Sequence, residues 1–435
     1  MSNSKWSYRN PEDNLVVGFD LGAIMDKRRL DFNFTWNMSL FNRDIWDGSM
    51  SLEEMDVALD DSLDGIIGRQ YDENGQITQN GLVETADMAG PLEALGDLII
   101  FNTNMTPLVP IDVINYDDHP IATIVNMPSA AFNFRLAGNY TLNKFIVEYR
   151  QVGPEFVSLG NPFLASNIRE FILLNRITHF FDSKLLITTG FKHRDNKILE
   201  TVANPLNTNT ITLNLSFLPG AGAPSYVLNF QSIGKNNEKE ELDKVGELDV
   251  DNRQDTRTTN VLLSINYPIT FRSIKHNFVL NYNSMINTDK LAGQRMAGYF
   301  FPGSDSKSVT LSLASRFQSP LRTMLNVSLM DLFIPSLDYE GNVIKNTITW
   351  KTLAVNGKYA LQDNKINLTG GLSYIKNESL TTASSIIDFR GGADYKLLQD
   401  FSLSFSGQLQ IIVNETAKVT KLNTSGILIS FRYNF

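Results

Sequence analysis

Hydrophobic and polar positions alternate with a period of two along most of this chain. Leu30, Phe32, Phe34, Trp36, Met38 and Leu40 take one parity, and Asp31, Asn33, Thr35, Asn37 and Ser39 the other. In an extended strand the two sets lie on opposite faces. Phe401, Leu403, Phe405, Leu409, Ile411 and Val413 repeat the pattern against Ser402, Ser404, Ser406, Gln408 and Gln410. So do residues 366–374, 130–140, 209–217, 225–234 and 308–317. These runs are about ten residues or longer, the length a tilted strand needs to cross the hydrocarbon core. Soluble sandwich strands are usually about half that. Aromatic residues gather at the run ends, among them Phe180, Phe181, Tyr267, Tyr282, Tyr359 and Tyr395. Membrane β-barrels carry aromatic girdles at those two levels.

The pattern predicts seventeen strands, at 15–25, 29–41, 130–140, 144–152, 168–180, 185–194, 209–217, 225–234, 256–268, 275–283, 308–317, 322–330, 347–360, 365–376, 386–395, 401–413 and 425–435. Short connections, such as 26–28, 141–143 and 361–364, alternate with long ones, such as 42–129, 153–167 and 235–255. The expected fold is all-β, a transmembrane antiparallel β-barrel of about 16–18 strands in a single domain spanning 1–435. With short turns periplasmic and long loops extracellular, the last strand ends in the periplasm.

Residues 425–435 read Ser-Gly-Ile-Leu-Ile-Ser-Phe-Arg-Tyr-Asn-Phe. This apolar-out, polar-in strand ending on Phe435 resembles the closing strand of bacterial outer-membrane β-barrels. The resemblance implies that Phe431, Tyr433 and Phe435 form a signal read by the barrel-insertion machinery. It also implies a Gram-negative outer membrane, with lipid and lipopolysaccharide around the wall. The passage from Tyr149 to Pro162 looks like a strand-to-loop segment of large barrels in the Bacteroidota and Chlorobi group.

Composition narrows the function. The chain has 435 residues, 42% hydrophobic, with no run long and apolar enough for a membrane helix. Cysteine is absent, so disulfides and thiolate metal sites are excluded. A net charge of -9 without a basic stripe argues against nucleic acid. Asn-x-Ser/Thr triplets at 33–35, 214–216 and 367–369 lie inside alternating strands. They read as wet lining rather than glycosylation sites.

Seventeen is an odd count for a bacterial single-chain barrel, and the first residues have no apolar signal-peptide core. Both predict missing upstream sequence, with one more strand giving an 18-stranded barrel and five giving 22. A strand overlooked inside 42–129 is the alternative. That segment, a long extracellular loop or lid, is acidic: Glu53, Glu54, Asp56, Asp60, Asp61, Asp64, Asp72, Glu73, Glu84 and Asp87. Ser51 followed by Glu54 is a capping-box pattern that predicts a short helix. The carboxylates would suit Ca²⁺ or a solvated surface loop; no other cofactor is expected.

The polar parity supplies candidate lumen-lining residues: Asp20, Asp31, Arg135, Glu148, Arg150, Arg316, Arg322, Lys351, Asp388, Arg390, Asp394 and Arg432. Mixed charge of this kind suits passage of polar solutes with weak anion preference. It equally suits a salt-bridge lattice or contact with a plug. Three functions follow: a porin or the barrel part of a transporter; a secretion, assembly or surface-anchoring barrel holding a partner protein; and, least favoured, an enzyme. The chain has four histidines, and Asp117-Asp118-His119 is the sole carboxylate–His cluster in sequence, so no catalytic residue is assigned.

Overall fold

The computed structural model describes residues 10–433, apart from 61–62, 72–74, 87–89, 91–95, 97, 108–126, 162, 183, 199–201, 221, 295–302, 338–342, 363–364, 380 and 398–400. The chain divides into two compact units. The first comprises 1–140, 145–173 and 192–207; the second comprises 141–144, 174–191 and 208–435.

Unit one holds β1 (Asp13–Met25), β2 (Leu30–Asn42), helix α1 (Leu52–Asp60), β3 (Ile66–Tyr71), β4 (Ile77–Glu84), β5 (Met105–Thr106), β6 (Ala130–Asn139) and most of β7 (Asn143–Val152). It also takes the long-loop ends of β8 (Ile168–Phe180) and β9 (Leu185–Asp195). Unit two continues with β10 (Asn207–Phe217), β11 (Ser225–Asn236), β12 (Asp243–Val245), β13 (Leu248–Val250), β14 (Asp255–Phe271) and β15 (Ile274–Asp289). It ends with β16 (Asp305–Arg316), β17 (Leu321–Leu337), β18 (Val343–Leu361), β19 (Ile366–Glu378), β20 (Ala383–Lys396), β21 (Phe401–Asn414) and β22 (Val419–Tyr433).

Among the described residues eighteen strands belong to one large sheet. Seventeen of them are the strands the alternation predicts, and the other, β5, is a two-residue piece on the end of β2. The ladders between sequence neighbours are antiparallel, as in β14–β15, where Leu263 faces Tyr282. Their turn at Arg272–Ser273 has φ of 46° and 66°, the twist-matching geometry of a two-residue hairpin loop. Several strands outrun the predicted ends: β15 continues to Asp289 and β17 to Leu337.

Inside the long segment after β2, the capping box forms as the sequence predicts. Glu54 N–H donates to Ser51 Oγ at 3.2 Å, and Ser51 N–H donates to Glu54 Oε2 at 2.8 Å. Strands β3 and β4 pair with each other in a separate hairpin, outside the large sheet. Buried Asp56 accepts the Gly65 N–H at 2.9 Å and ties the helix to that hairpin.

Among the described residues, most of the apolar side of the large sheet is uncovered. In unit two, Val327, Leu329, Leu353, Val355, Leu372, Phe389 and Phe405 share one face and are 42–47% exposed. In unit one, Phe19 and Leu21 are each 55% exposed. Full burial of such a side chain is worth about 1.5–3 kcal/mol, so nine half-exposed ones forgo roughly 10 kcal/mol in water. That rivals the net stability of an ordinary domain, about 5–15 kcal/mol. Leu40, Ile99, Phe101 and Met105 do form a buried cluster, but it sits where the β2–β6 connection folds over the strand ends. No helix among the described residues is long and apolar enough to cross a membrane.

Candidate functional site: the polar face of the sheet

Opposite the apolar side lies a face rich in Asn, Ser, Thr and charge. In unit one, Asp20 stands opposite Thr35, and Asn33 opposite both Gly22 and Arg135. Asp31 joins them two residues from Asn33 on β2, across from Ala137. Val152 packs with Ala131, which shares the parity of Arg135, so Glu148 and Arg150 fall on the same face. In unit two, Arg316 faces Arg322, Ser373 faces Asp388, Gly371 faces Arg390 and Asn367 faces Asp394. Ten of the twelve candidate residues thus lie on polar faces, each within its own unit.

Lys351 is a correction. It shares the parity of Leu353 and Val355 and stands opposite Leu329, so it belongs to the apolar face. Its ammonium pairs there with Glu378 at 2.7 Å, beyond the end of the apolar band. The twelfth, Arg432, stands in register with Ser402, but its side chain lies outside the described residues, as do those of Phe431, Tyr433 and Phe435. Asp117, Asp118 and His119 are likewise outside, and so are Asp61, Asp72, Glu73 and Asp87 of the acidic segment. Among the described residues no group of three or more metal-ligating side chains gathers.

Two features of unit one were not legible in the sequence. The first is a charge hub near the long-loop end. Glu170 of β8 is 3% exposed. It accepts from Arg150 at 2.8 Å and Lys192 at 2.9 Å, with Arg194 at 3.8 Å. One buried carboxylate holds three cations that keep substantial contact with solvent, so the patch carries net positive charge. On the opposite parity Asp195, also 3% exposed, accepts from Arg169 and approaches His193 at 3.0 Å.

The second feature is the loop 153–167, which folds back onto the polar face. Val157 N–H donates to Ser39 Oγ at 3.0 Å, and Asn14 brackets it by donating to Val157 O at 3.2 Å and accepting Leu159 N–H at 3.1 Å. Phe156 packs on Ala131 and Val152. The approach is so close that a Cβ on Gly153 would lie 1.9 Å from the Pro128 carbonyl oxygen. Glycine is required by contact here.

The asparagine triplets at 33–35, 214–216 and 367–369 lie on β2, β10 and β19. Thr35 Oγ1 donates to Asn33 at 3.3 Å, Ser216 Oγ donates to Asn214 at 3.1 Å, and Asn214 reaches across to Asn229. Asp388, 2% exposed, is neutralised by Arg390 at 2.6 Å and takes a second hydrogen bond from Gln408 at 2.5 Å.

No protein-family model and no curated protein matches the chain. Solved structures are similar in strand architecture only. The structure of the FpvAI–pyocin S2 complex matches at TM-score 0.30 and 9% identity, covering 70% of this chain and 56% of that one. The ferripyoverdine receptor of the outer membrane of Pseudomonas aeruginosa matches at TM-score 0.29 and 9% identity, covering 70% and 57%. An anion-selective porin from Comamonas acidovorans matches at TM-score 0.28 and 12% identity, covering 70% and 93%. The chain spans little more than half the length of the first two, and the pyocin and siderophore belong to those proteins.

Proposed function

We propose that this chain is an outer-membrane β-barrel that passes polar solutes, as a porin or as the barrel part of a transporter. One observation carries the reading. Strands of bilayer length expose an uncovered apolar face on one side and a polar, charged face on the other. A lipid environment satisfies the first, and water satisfies the second. The loop 153–167, docked on the polar side, would then narrow the lumen near its extracellular mouth. A second reading, a barrel that holds a partner protein, has its own support in unit one. Trp46, Leu63 and Phe163, all in the long connections, are 70%, 68% and 94% exposed.

Reconstitution decides between them. The full chain, folded into planar bilayers, is expected to open stable conductance steps, and its proteoliposomes to swell in sugar solutions. Folded, membrane-inserted protein that gives neither would sink the passage reading and favour the partner-holding one.

A further inference from the structure

Four cations stand in one unbroken row on the polar face of unit two. Lys275 of β15 faces Arg316 of β16, Arg316 faces Arg322 of β17, and Arg322 faces Lys358 of β18. All four side chains are exposed. Neighbouring strands lie about 4.8 Å apart, so the row strings four positive charges along roughly 14 Å. Like charges directly opposite each other on a sheet repel. Nothing among the described residues compensates them, since none of the four makes an ion pair there. The same face shows what compensation looks like one row away, where Arg390 is paired with Asp388.

The surroundings are those of a binding surface. The row and Arg390 line a concavity of about 1050 Å³, together with Asn277, Asn356 and Gln408, whose amides offer neutral hydrogen bonds. That is the upper size range of small-molecule sites. The two guanidinium groups occupy the centre, and their planar forks match oxyanions bidentately, while the flanking lysines act as point charges.

We infer that Lys275, Arg316, Arg322 and Lys358 form a ladder that binds solutes carrying phosphate or an equivalent multiply charged oxyanion. The inference deepens the proposed function and rests on its reading of the polar face as the solute side. The row lies within a few residues of the short turns, so the ladder would act at the periplasmic end of the path. Each rung is a cation about 4.8 Å from the next, which favours movement between sites over a single tight trap.

The test uses the full chain with inorganic pyrophosphate as the probe. In planar bilayers under a KCl gradient the wild type is expected to prefer chloride, and pyrophosphate to reduce its current. The quadruple variant Lys275→Gln, Arg316→Gln, Arg322→Gln, Lys358→Gln should lose the block, with its permeability ratio falling to about unity. A charge-keeping variant, Lys275→Arg and Lys358→Arg, should retain both and guards against a folding artefact. Channels that conduct without anion preference or block would overturn the ladder and leave solute passage standing. Where no channel opens, calorimetry in detergent takes over. Pyrophosphate binding that the quadruple variant lacks would uphold the ladder while passage fails. Response only to co-purified lipid phosphate, and none to soluble pyrophosphate, would overturn it.

Discussion

Arg150 donates to Glu170 at 2.8 Å across neighbouring strands of unit one, and the carboxylate is almost fully enclosed, its side chain 4% exposed. Lys192 and Arg194 approach the same group from the next strand. The arrangement makes Glu170 the keystone: its removal leaves three cations side by side.

Glu170→Gln is therefore expected to destabilise the folded chain. Breaking a fully buried pair costs about 3–5 kcal/mol. Here the cations are 40–48% exposed and water screens them, which brings the expected loss to roughly 1–3 kcal/mol. Urea unfolding from lipid vesicles measures it. A loss that vanishes in the double variant with Arg150→Gln would identify repulsion as the cause; an unchanged midpoint in Glu170→Gln would show the hub to be dispensable.

The two faces should respond oppositely to charge. Val327 and Ser328 are neighbours on β17 but stand on the apolar and polar faces, opposite Leu353 and Thr352, respectively. Lysine at mid-bilayer on a lipid face costs about 2–4 kcal/mol, whereas lysine against water costs little. Val327→Lys is expected to lose that amount in vesicle refolding, and Ser328→Lys to stay within about 0.5 kcal/mol of the wild type. Equal losses at both positions would contradict the membrane reading of the apolar face.

Strand positions were legible because two faces of opposite polarity enforce the period of two along each strand. The prediction fell short where that demand lapses. Beyond the apolar band β15 runs on through Ser284-Met-Ile-Asn-Thr-Asp289 without clean alternation, held by its ladders and by Asn287, which accepts from Thr258 Oγ1 and donates to the Ser304 carbonyl. In β8 both parities are mixed, since Leu174 turns to the polar side near Gly190, and this hid Glu170. Lys351 was misassigned for a related reason, since above the band a charged side chain can sit on the apolar-face parity at little cost. Arg316 and Arg322 were recognised singly, but their alignment with Lys275 and Lys358 depends on register across three ladders. No single strand contains that information.

Gly153→Ala tests whether loop 153–167 is held on the polar face by contact. The added methyl would meet the Pro128 carbonyl oxygen at 1.9 Å, and backbone cannot yield cheaply. Release of the loop would expose the Glu155–Phe156 bond, where Glu155 N–H now donates to Pro128 O and Phe156 is buried. A glutamate-specific protease should cut the variant at Glu155 much faster than the wild type. In bilayers the same variant should conduct more, since the loop would no longer narrow the path. Unchanged cleavage would mean that the loop stays seated.

Glu378 should report the charge cluster above the apolar band. Lys351 and Lys376 each donate to it at 2.7 Å, and these hydrogen bonds hold its carboxyl down at about 2, against an ordinary 4.5. The folded pKa is depressed, so the cluster's contribution is complete above about pH 4.5 and fades as pH falls towards 2. The group is solvent-exposed, so added salt should weaken the effect. In Lys351→Met one of the two donors disappears, and the carboxyl should titrate nearer its ordinary value. Isotope-edited infrared titration of the glutamate carboxylates follows this directly. A Glu378 signal already titrating near 4.5 in the wild type would show the cluster to be loose and the Lys351 pairing unformed.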